Sequence, residues 1–381
     1  MSKQLKTTNK SLIVVSALMV AVLLSVFSTS CYAPSGKLMT YFDYFGTISE
    51  IAYFDEIDSE EKALSDAIQS ALDEIDQAIS LSIDSSDISR FNRAPAGERL
   101  EISKHTFNIL TMARSIYEKT RGAFNPAAAY LIDLWGFSPA PSPLIPAELR
   151  RSVLSLPNKA ALDVFSSNLL SFDSISVSQS EGKYYVTKPA DEITFMDKTY
   201  SMMINVGGIG KGYAADICNA ILADYNVTHC YSKIGVSSLS LGSNSSPSST
   251  NNYWKVKLNS PRDGLDYVSV LSKNEGASTS GDYENYFMFE GKRYCHIINP
   301  DTGRPIESNL ASVSVFGPSA AECDALSTAL MVMGENGLSM LGPDYRDVKY
   351  ILASVSDKIE IRTNFERNKI DIPSSVIIKN G

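Results

Sequence analysis

Histidine, cysteine and tryptophan are scarce in this chain of 381 residues, which has three, five and two of them. No two cysteines form a Cys-x-x-Cys pair, and none stands at zinc-finger spacing from a histidine, so we expect no zinc site. Four cysteines follow Cys31, an even number that would permit disulfides in an exported protein. Cysteines scattered this widely are more often buried small hydrophobic residues; here they are Cys218, Cys230, Cys295 and Cys323.

Long hydrophobic runs are also scarce, and the clearest one lies near the N-terminus. Three lysines precede 17 apolar or small residues (11–27), and Ser28 to Cys31 follow them. This is the layout of a secretory signal peptide that ends in a loose lipobox, with Ser28 where leucine is usual. We expect cleavage before Cys31 and a lipid on Cys31, which would anchor an exported protein to the bacterial cell membrane. An uncleaved signal anchor is the alternative, but a spanning helix needs roughly 20 residues.

The composition indicates a folded, acidic protein. Hydrophobic residues make up 44% of the chain and charged residues 20%, as in globular proteins. The formal net charge is −9, and removal of residues 1–30 takes away three lysines and no acid, which leaves −12. This negative charge argues against nucleic-acid binding.

Apolar periodicity predicts interleaved helices and strands. Helices are expected from residue 59 to a polar run at 80–90, after Ser103, after the glycines at 207–212, and over 320–333. Strands are expected over 47–54, 253–258 and 312–316, with several short ones across 162–200. Residues 138–160 resemble an insertion or a lid, and 242–252 should form a surface loop.

Strand pairs dominate the second half of the chain. We therefore expect a mixed α/β (α+β) fold, a sandwich of antiparallel-rich sheets with helices packed on them. The expected organisation is a signal peptide (1–30), a tether (31–42), one domain (43–370) and a C-terminal tail (371–381).

Polar residues that could take part in catalysis concentrate after Gly276. The segment Gly276-Ala-Ser-Thr-Ser-Gly-Asp-Tyr283 comes first, and His296 then precedes the turn-forming run Asn299-Pro-Asp-Thr-Gly303. A histidine held at a turn is well placed for proton transfer. The alternative is an ordinary histidine at a strand end, satisfied by hydrogen bonds.

Four glycines at 207–212 open a helix and surround Lys211. The N–H groups at a helix N-terminus bind anions, and the lysine adds a positive charge that suits a phosphate. The segment is not a Walker loop, because Gly212 stands where Ser or Thr should follow the lysine. It is not a dinucleotide GxGxxG fingerprint with its acid about twenty residues further on either. A purely structural turn from strand to helix is the alternative.

Asp324 and Thr328 are four residues apart on a predicted helix and therefore share a face. A carboxylate and a hydroxyl are oxygen ligands that suit Mg²⁺, which keeps several waters. The alternative is that the aspartate favours the helix N-terminus and the threonine bonds backward to a carbonyl.

Together these segments resemble the FAD:protein FMN transferase family, the ApbE-type periplasmic flavin transferases. The resemblance spans about residues 40–360, and exported lipoproteins are the expected form in that family. Seven motifs stand in the same order: Phe45-Gly-Thr47, Ser80…Ser86…Asn92, Gly122-Ala-Phe-Asn-Pro126 with Trp135-Gly-Phe137, Asn205–Asp216, Ser278–Tyr283, His296…Pro300-x-Thr-Gly303 and Asp324…Thr328.

The resemblance implies an Mg²⁺-dependent transfer of FMN from FAD. It places the pyrophosphate near residues 207–212 and the metal on Asp324, Thr328 and the main-chain carbonyl of Gly208. A Thr or Ser hydroxyl of an acceptor flavoprotein would attack the FMN-side phosphorus, and AMP would leave. His296 would be the base, a task that an ordinary histidine pKa of about 6.5 suits.

The same resemblance implies which residues hold FAD, with Phe45 lying against the flavin. The remaining contacts would come from Ser82, Ala123, Phe124, Asn125, Asn205 and Lys211. Acceptors in this family are flavoproteins of membrane redox complexes or of extracellular electron transfer.

Several positions depart from the family pattern. Asn125 and Asn205 stand where aspartate is usual, Cys295 replaces a common second histidine, and Ser82 stands where many members have a tyrosine that stacks on the flavin. Looser flavin binding would let water compete with the acceptor, so an FAD pyrophosphatase that yields FMN and AMP is one alternative function. A non-catalytic FAD-binding lipoprotein, a purely structural lipoprotein and, against the acidic net charge, an anion-binding component of a transporter are the others.

Overall fold

A computed structural model describes residues 36–57, 60–246, 249, 251–262, 267–341 and 345–379. The expected signal peptide, the lipidation site at Cys31 and the first part of the tether lie outside these ranges. Within them, no helix combines the length and the apolar character needed to cross a membrane.

Four of the helices in the described residues lie where the sequence predicts helices, over 61–79, 104–119, 207–224 and 320–333. The α-helices of these residues are α1 (Glu61–Ile79), α2 (Asp87–Arg93), α3 (Lys104–Lys119), α4 (Ala129–Leu134), α5 (Lys159–Ser167), α6 (Gly207–Asp224) and α7 (Ala320–Met333).

The strands are short and belong mostly to antiparallel pairs. They are β1 (Lys37–Tyr44), β2 (Thr47–Tyr53), β3 (Arg99–Ile102), β4 (Ser176–Ser180), β5 (Lys183–Thr187), β6 (Glu192–Phe195), β7 (Lys198–Ser201), β8 (Cys230–Ile234), β9 (Ser238–Leu241), β10 (Trp254–Lys257), β11 (Ser269–Ser272), β12 (Gly276–Gly281), β13 (Tyr286–Phe289), β14 (Lys292–Cys295), β15 (Ile298–Asn299), β16 (Arg304–Pro305), β17 (Leu310–Gly317), β18 (Lys349–Val355), β19 (Ile359–Thr363), β20 (Ile370–Asp371) and β21 (Val376–Ile378).

A nine-stranded sheet forms the centre of the fold, in the order β1-β2-β8-β9-β12-β17-β18-β19-β21. β17 is buried along its whole length, as expected for a strand covered on both faces. On one face, Val313 and Val315 join the core formed with the helices. On the other, Phe316 and Ile351 pack with the three-stranded sheet β10-β11-β20. The arrangement is a mixed α/β sandwich, which confirms the predicted fold class.

Helices α6 and α7 lie side by side against the central sheet. Asp216 on α6 caps the N-terminus of α7, because its carboxylate accepts the Ser319 hydroxyl (2.8 Å) and the amides of Ala320 (2.9 Å) and Ala321 (3.0 Å). Burial raises the pKa of this carboxyl, although the three donors oppose the rise. The cap fixes the position of α7, which carries Asp324.

Close approach of the two helices requires a glycine at position 212. A methyl group added there would collide with the Ala320 carbonyl and with the next main-chain nitrogen. The backbone of α7 thus fills the space that a side chain would occupy, and only glycine permits so close an approach of two backbones.

A second core surrounds α4 and α5. Trp135 is buried in it, and its indole N–H donates to the Gly303 carbonyl at 2.8 Å, which ties α4 to the turn after His296. Residues 138–151 are anchored at Asp133, whose carboxylate accepts Arg150 Nε (2.5 Å) and the Ser142 amide (2.6 Å). The proline-rich segment is therefore fastened to the domain.

The structure differs from the sequence-based elements at several places. Residues 162–167, expected to be strand, belong to α5, because Ala161, Leu162 and Phe165 bury one helical face. Part of the polar run at 80–90 belongs to α2, which begins where the Ser86 side chain accepts the Ser89 amide at 3.0 Å. Helix α6 begins within the glycines, at Gly207.

Both ends of the expected domain extend into the central sheet. β1 pairs with β2 from Lys37 onward, so residues 37–42 of the expected tether are a strand. β21 pairs with β19 within the expected tail. Both segments are stabilised by main-chain pairing at the edges of the sheet, and neither β1 nor the three residues of β21 alternate regularly between buried and exposed positions. The four described cysteines are free and buried, as their scattered positions indicated.

Candidate active site

Asp324 is held in a fixed orientation between α6 and the central sheet. It is 4% exposed. Its Oδ1 accepts the Ser278 hydroxyl of β12 at 2.8 Å, and its Oδ2 accepts the Gly212 amide of α6 at 3.2 Å. Two neutral donors satisfy the carboxylate without a cation, so it keeps its negative charge available for a metal ion or another cationic group.

Thr328 lies one helical turn after Asp324. Its hydroxyl donates to the Asp324 carbonyl at 3.2 Å, which is the backward bond expected of a helical threonine, and it lies 3.3 Å from Ser280 Oγ. Ser280 also contacts the Ser327 hydroxyl at 2.8 Å. Serines of β12 therefore hold both oxygen-bearing residues of α7.

Gly208 on α6 faces this pair. A methyl group placed on Gly208 would lie 3.4 Å from Thr328 Oγ1. The amide of Gly212, which in a regular helix donates to the carbonyl of Gly208, also donates to Asp324. The Asp324 carboxylate and the Thr328 hydroxyl thus lie against the first turns of α6, and together with the Gly208 carbonyl they would form an all-oxygen ligand set that fits Mg²⁺. Within the described ranges, no three His, Cys, Asp or Glu side chains form a metal-binding group.

His296 is oriented by the main chain of the β13–β14 hairpin. Its amide donates to the Asn285 carbonyl at 2.9 Å, and its ring Nδ1 lies 3.2 Å from the same oxygen. Because a carbonyl oxygen only accepts, Nδ1 carries the proton in the neutral ring. The lone pair therefore resides on Nε2, which is the atom that can take a proton from another group.

The pKa of His296 lies below the ordinary histidine value of about 6.5. Burial of the ring, together with the Lys211 ammonium, lowers it to about 4 in the ligand-free protein, while the Asn285 carbonyl opposes the shift. The ring is therefore neutral at physiological pH. A bound anion would raise this pKa and make the ring a stronger base.

Glu284 shares this region with Lys211, His296 and Asp324. Although the residue is largely exposed, desolvation raises the pKa of its carboxyl to about 7; Lys211 opposes the rise and Asp324 adds to it. The Lys211 ammonium donates to the Gly207 carbonyl at 3.3 Å, in the first turn of α6. Cationic, acidic and imidazole groups thus surround the N-terminus of α6.

The segment at 123–126 lies against the same turn. The Phe124 ring contacts Gly208, and a methyl group on Gly208 would lie 3.2 Å from it. Phe124 is only 4% exposed, so its ring serves the core, and the main chain and the partly buried Ala123 are the parts left for a ligand. The Asn205 amide donates to the Pro126 carbonyl at 2.8 Å, which joins the two segments.

Asn125 and Asn205 use their side-chain oxygens in the same way. Asn125 Oδ1 accepts the Ala127 amide at 3.0 Å, and Asn205 Oδ1 accepts the Gly207 amide at 2.8 Å. An aspartate could make either bond. An asparagine additionally presents a side-chain N–H₂ donor. Neither the Asn125 nor the Asn205 side-chain nitrogen has a partner in the described part of the chain. The replacement of aspartate therefore keeps the local turn and adds donors suited to an anion.

Phe45 and Ser82 both lie at the C-terminal end of α1. The Phe45 amide donates to Asp76 Oδ1 at 3.3 Å, and Ser82 stands in the exposed turn after the helix. A methyl group on Gly210 would meet the Ile79 side chain, so the start of α6 lies against the same end of α1. No described contact joins Phe45 or Ser82 to His296 or Asp324 directly.

Sequence reasoning did not single out Glu284, Asn285, Ser278 or Ser280 individually. Glu284 and Asn285 directly follow the polar segment that ends at Tyr283, and the two serines alternate in β12. That period of two indicates a shared face, but the α7 residues they contact lie more than 40 positions away.

Comparison with known proteins identifies one family. Residues 45–352 match the ApbE family. Curated relatives named FAD:protein FMN transferase include one from Escherichia coli strain K12, 30% identical over 281 residues that cover 73% of each chain. Another, from Salmonella typhimurium strain LT2, is 31% identical over 269 residues, or 70% of each chain.

Solved structures agree in fold. The flavin transferase ApbE of Vibrio cholerae superposes with a TM-score of 0.67 at 22% identity and covers 90% of this chain and 98% of that one. The ApbE protein of Thermotoga maritima gives 0.67 at 22% identity and covers 85% and 96%. From the family match and the identity to curated relatives, the chain belongs to the ApbE family.

Proposed function

We propose that this protein is an FAD:protein FMN transferase that moves FMN from FAD to a hydroxyl of an acceptor flavoprotein and releases AMP. The observation that carries the proposal is the convergence at the N-terminus of α6. Lys211 and Gly208 stand in its first turns, Asp324 and Thr328 face it from α7, and the charge of Lys211 acts on His296. The family membership and the names of the curated relatives support the same reaction.

The N-terminus of α6 suits the diphosphate of FAD. Lys211 supplies a cation, the positive end of the α6 dipole faces the same place, and the side-chain nitrogens of Asn125 and Asn205 supply hydrogen-bond donors. Phe45 lies near the same end of α6 through its bond to α1, which is compatible with a flavin contact.

Asp324, Thr328 and the carbonyl of Gly208 are the residues that would hold Mg²⁺. When bound, the ion would neutralise diphosphate charge and so favour nucleophilic attack at phosphorus. Ser278 and the Gly212 amide orient the Asp324 carboxylate before any ligand arrives, which lowers the cost of assembling the site.

His296 acts as the general base in this proposal. The acceptor hydroxyl, which we take to belong to Thr or Ser, loses its proton to Nε2 while its oxygen bonds to the FMN-side phosphorus. The bridging P–O bond breaks, and AMP leaves with that oxygen and the bond electrons. The Asn285 carbonyl keeps the proton on Nδ1 and so keeps Nε2 free for this step.

The proposed setting is the outer side of the cell membrane. The N-terminal sequence supports export and a lipid on Cys31, and the acceptor would then be a flavoprotein of a membrane or extracellular redox system. The fold offers no argument for nucleic-acid binding, and the net charge opposes it.

FAD hydrolysis is the second candidate function. Ser82 is exposed and lies near the flavin end of the proposed site, so no aromatic ring covers that end from this position. Water could then replace the acceptor hydroxyl at the same phosphorus and yield FMN and AMP.

Incubation of the full chain with FAD and MgCl₂ tests the proposal. An apo-domain of a flavoprotein that carries FMN on a Thr phosphoester serves as acceptor, and acceptor mass and AMP are measured. Addition of one FMN to the acceptor, abolished by EDTA and by His296→Ala, is the expected result. AMP without a modified acceptor would point to the hydrolase, and tightly held FAD without AMP to a binding protein.

A further inference from the structure

The segment between α4 and α5 carries the two most exposed large hydrophobic side chains of the described residues. Val153 is 89% exposed and Leu154 is 87% exposed. Hydrogen bonds hold the turn that presents them: the Ser152 amide donates to the Ser155 carbonyl (2.9 Å), and the Leu154 amide donates to Ser152 Oγ (3.1 Å). An ordered turn that displays adjacent apolar side chains has the features of a binding surface.

Arg151 fixes this turn to the hairpin that carries His296. Its Nε donates to the Trp135 carbonyl at 2.8 Å, and its guanidinium lies 4.2 Å from the centre of the Phe287 ring of β13. Gly136, at φ +72°, makes room for it, because a methyl group there would lie 2.9 Å from Arg151 Nε. These contacts link the turn to the hairpin.

Two half-buried aromatic rings connect the turn with the proposed base. Phe287 lies 5.7 Å from Phe137, and Phe137 meets the His296 ring edge-on at 6.4 Å between ring centres. The exposed turn, Arg151 and the two phenylalanines thus form a continuous surface that ends at His296.

Arg151 adds a charge to this surface. Within the ranges that the structure describes, its terminal guanidinium nitrogens have no hydrogen-bond partner and the residue belongs to no ion pair. A planar guanidinium with two free N–H₂ groups binds a carboxylate through paired hydrogen bonds. The surface is therefore complementary to a partner with an apolar side chain and a nearby acid.

We propose that Phe137, Arg151, Val153, Leu154 and Phe287, named here the acceptor shelf, form the docking surface for the acceptor domain. The proposal rests on the proposed function, because an acceptor protein whose hydroxyl gives its proton to Nε2 must approach His296 from solvent. The occupant is a folded flavoprotein domain that places an apolar side chain on the turn and a carboxylate on Arg151. Its acceptor hydroxyl then reaches the adjacent base.

The double variant Val153→Ser/Leu154→Ser tests the shelf in the full chain. The probe is a flavoprotein apo-domain that receives FMN on Thr, and the measurements are KM and kcat for that domain and the Kd for FAD. We expect KM for the domain to rise about tenfold or more while kcat and the FAD Kd stay unchanged. The matched control is Leu38→Ser/Ile377→Ser, which removes exposed apolar side chains from β1 and β21 and should leave KM unchanged.

The outcomes separate the two proposals. If the wild type labels the domain and the shelf variant has the same KM, the docking surface is overturned and the transferase stands. An equal rise in KM for the control variant, or a weakened FAD Kd in the shelf variant, also overturns the docking surface. A wild type that binds FAD but labels no domain overturns the proposed function, and the shelf with it.

Discussion

The Asp324 carboxylate accepts the Gly212 amide at 3.2 Å, so one hydrogen bond joins the second turn of α6 to the second turn of α7. Gly212 is also the point where the two helices approach most closely in the glycine-rich segment. The proposed diphosphate site and the proposed metal ligand are therefore parts of one rigid unit, and a change at either residue should affect both.

Gly212→Ala should destabilise the protein by about 1–3 kcal/mol or more, because the new methyl group collides with main-chain atoms of Ala320 that cannot rotate away. Unfolding in urea measures the loss. Gly207→Ala is the control, since its methyl group would meet only the end of the Asn205 side chain at 3.0 Å. Similar small losses in the two variants would contradict the close helix contact.

Asp324→Asn should keep the fold and remove the response to magnesium. The amide has nearly the shape of the carboxylate; its oxygen can still accept from Gly212, and the Ser278 hydroxyl can rotate to accept from its nitrogen. Only the charge is lost. In the wild type, MgCl₂ in the presence of FAD should raise the Tm above the value with FAD alone.

The magnesium response should be absent from the Asp324→Asn variant, while its Tm without ligands stays within a few degrees of the wild type. Ser278→Ala serves as a control that loosens the carboxylate and leaves its charge. An undiminished response to MgCl₂ in Asp324→Asn would place the metal elsewhere.

The sequence predicted the elements whose side chains repeat along one face. α1 was predicted for this reason, because Leu64, Ile68 and Leu72 recur at helical spacing and are buried. Asp324 and Thr328 could be paired for the same reason, since i and i+4 share a helical face whatever the tertiary structure.

What the sequence did not predict depends on contacts between distant segments. Ser278 meets Asp324 only because β12 passes beneath α7, and the shift in the pKa of His296 depends on Lys211, which lies 85 positions earlier. Edge strands were missed for a related reason. β1 is stabilised by main-chain pairing with β2, and its exposed, mixed residues carry little periodic pattern.

Ser82→Tyr should tighten FAD binding and slow the release of AMP in the absence of acceptor. Ser82 stands in the exposed turn after α1, close to the end of the helix that contacts Gly210, so a ring there can cover the flavin. A stacking gain of about 0.5–1.5 kcal/mol corresponds to roughly two- to tenfold in Kd.

Ser85→Tyr, which adds the same ring at a nearby exposed position, should leave FAD binding unchanged. Fluorescence titration gives the Kd, and chromatography gives the AMP. Unchanged release of AMP by Ser82→Tyr would mean that an open flavin site does not cause hydrolysis.

His296 should titrate far below an ordinary histidine in the ligand-free protein, with a midpoint at about pH 4. Burial is the main cause and Lys211 the second, so Lys211→Met should move the midpoint upward by removing the charge alone. The chain has three histidines, which makes the ring signals assignable by NMR with His105→Gln and His229→Gln. A midpoint near 6.5 in the wild type would show that solvent reaches the ring freely.

The lowered pKa of His296 makes the stability of the fold depend on pH in a defined direction. Because the folded pKa is about 4 and the unfolded one about 6.5, the unfolded chain binds more protons between these values. The free energy of unfolding therefore rises with pH from about 4 to 6.5, and protonation destabilises the fold as the pH falls through that window. His296→Gln lacks this contribution, so the wild type should lose more stability than the variant between pH 6.5 and pH 4 in urea unfolding. Parallel curves for the two proteins would mean that the ring is equally solvated in both states, and the low pKa of the proposed base would then be wrong.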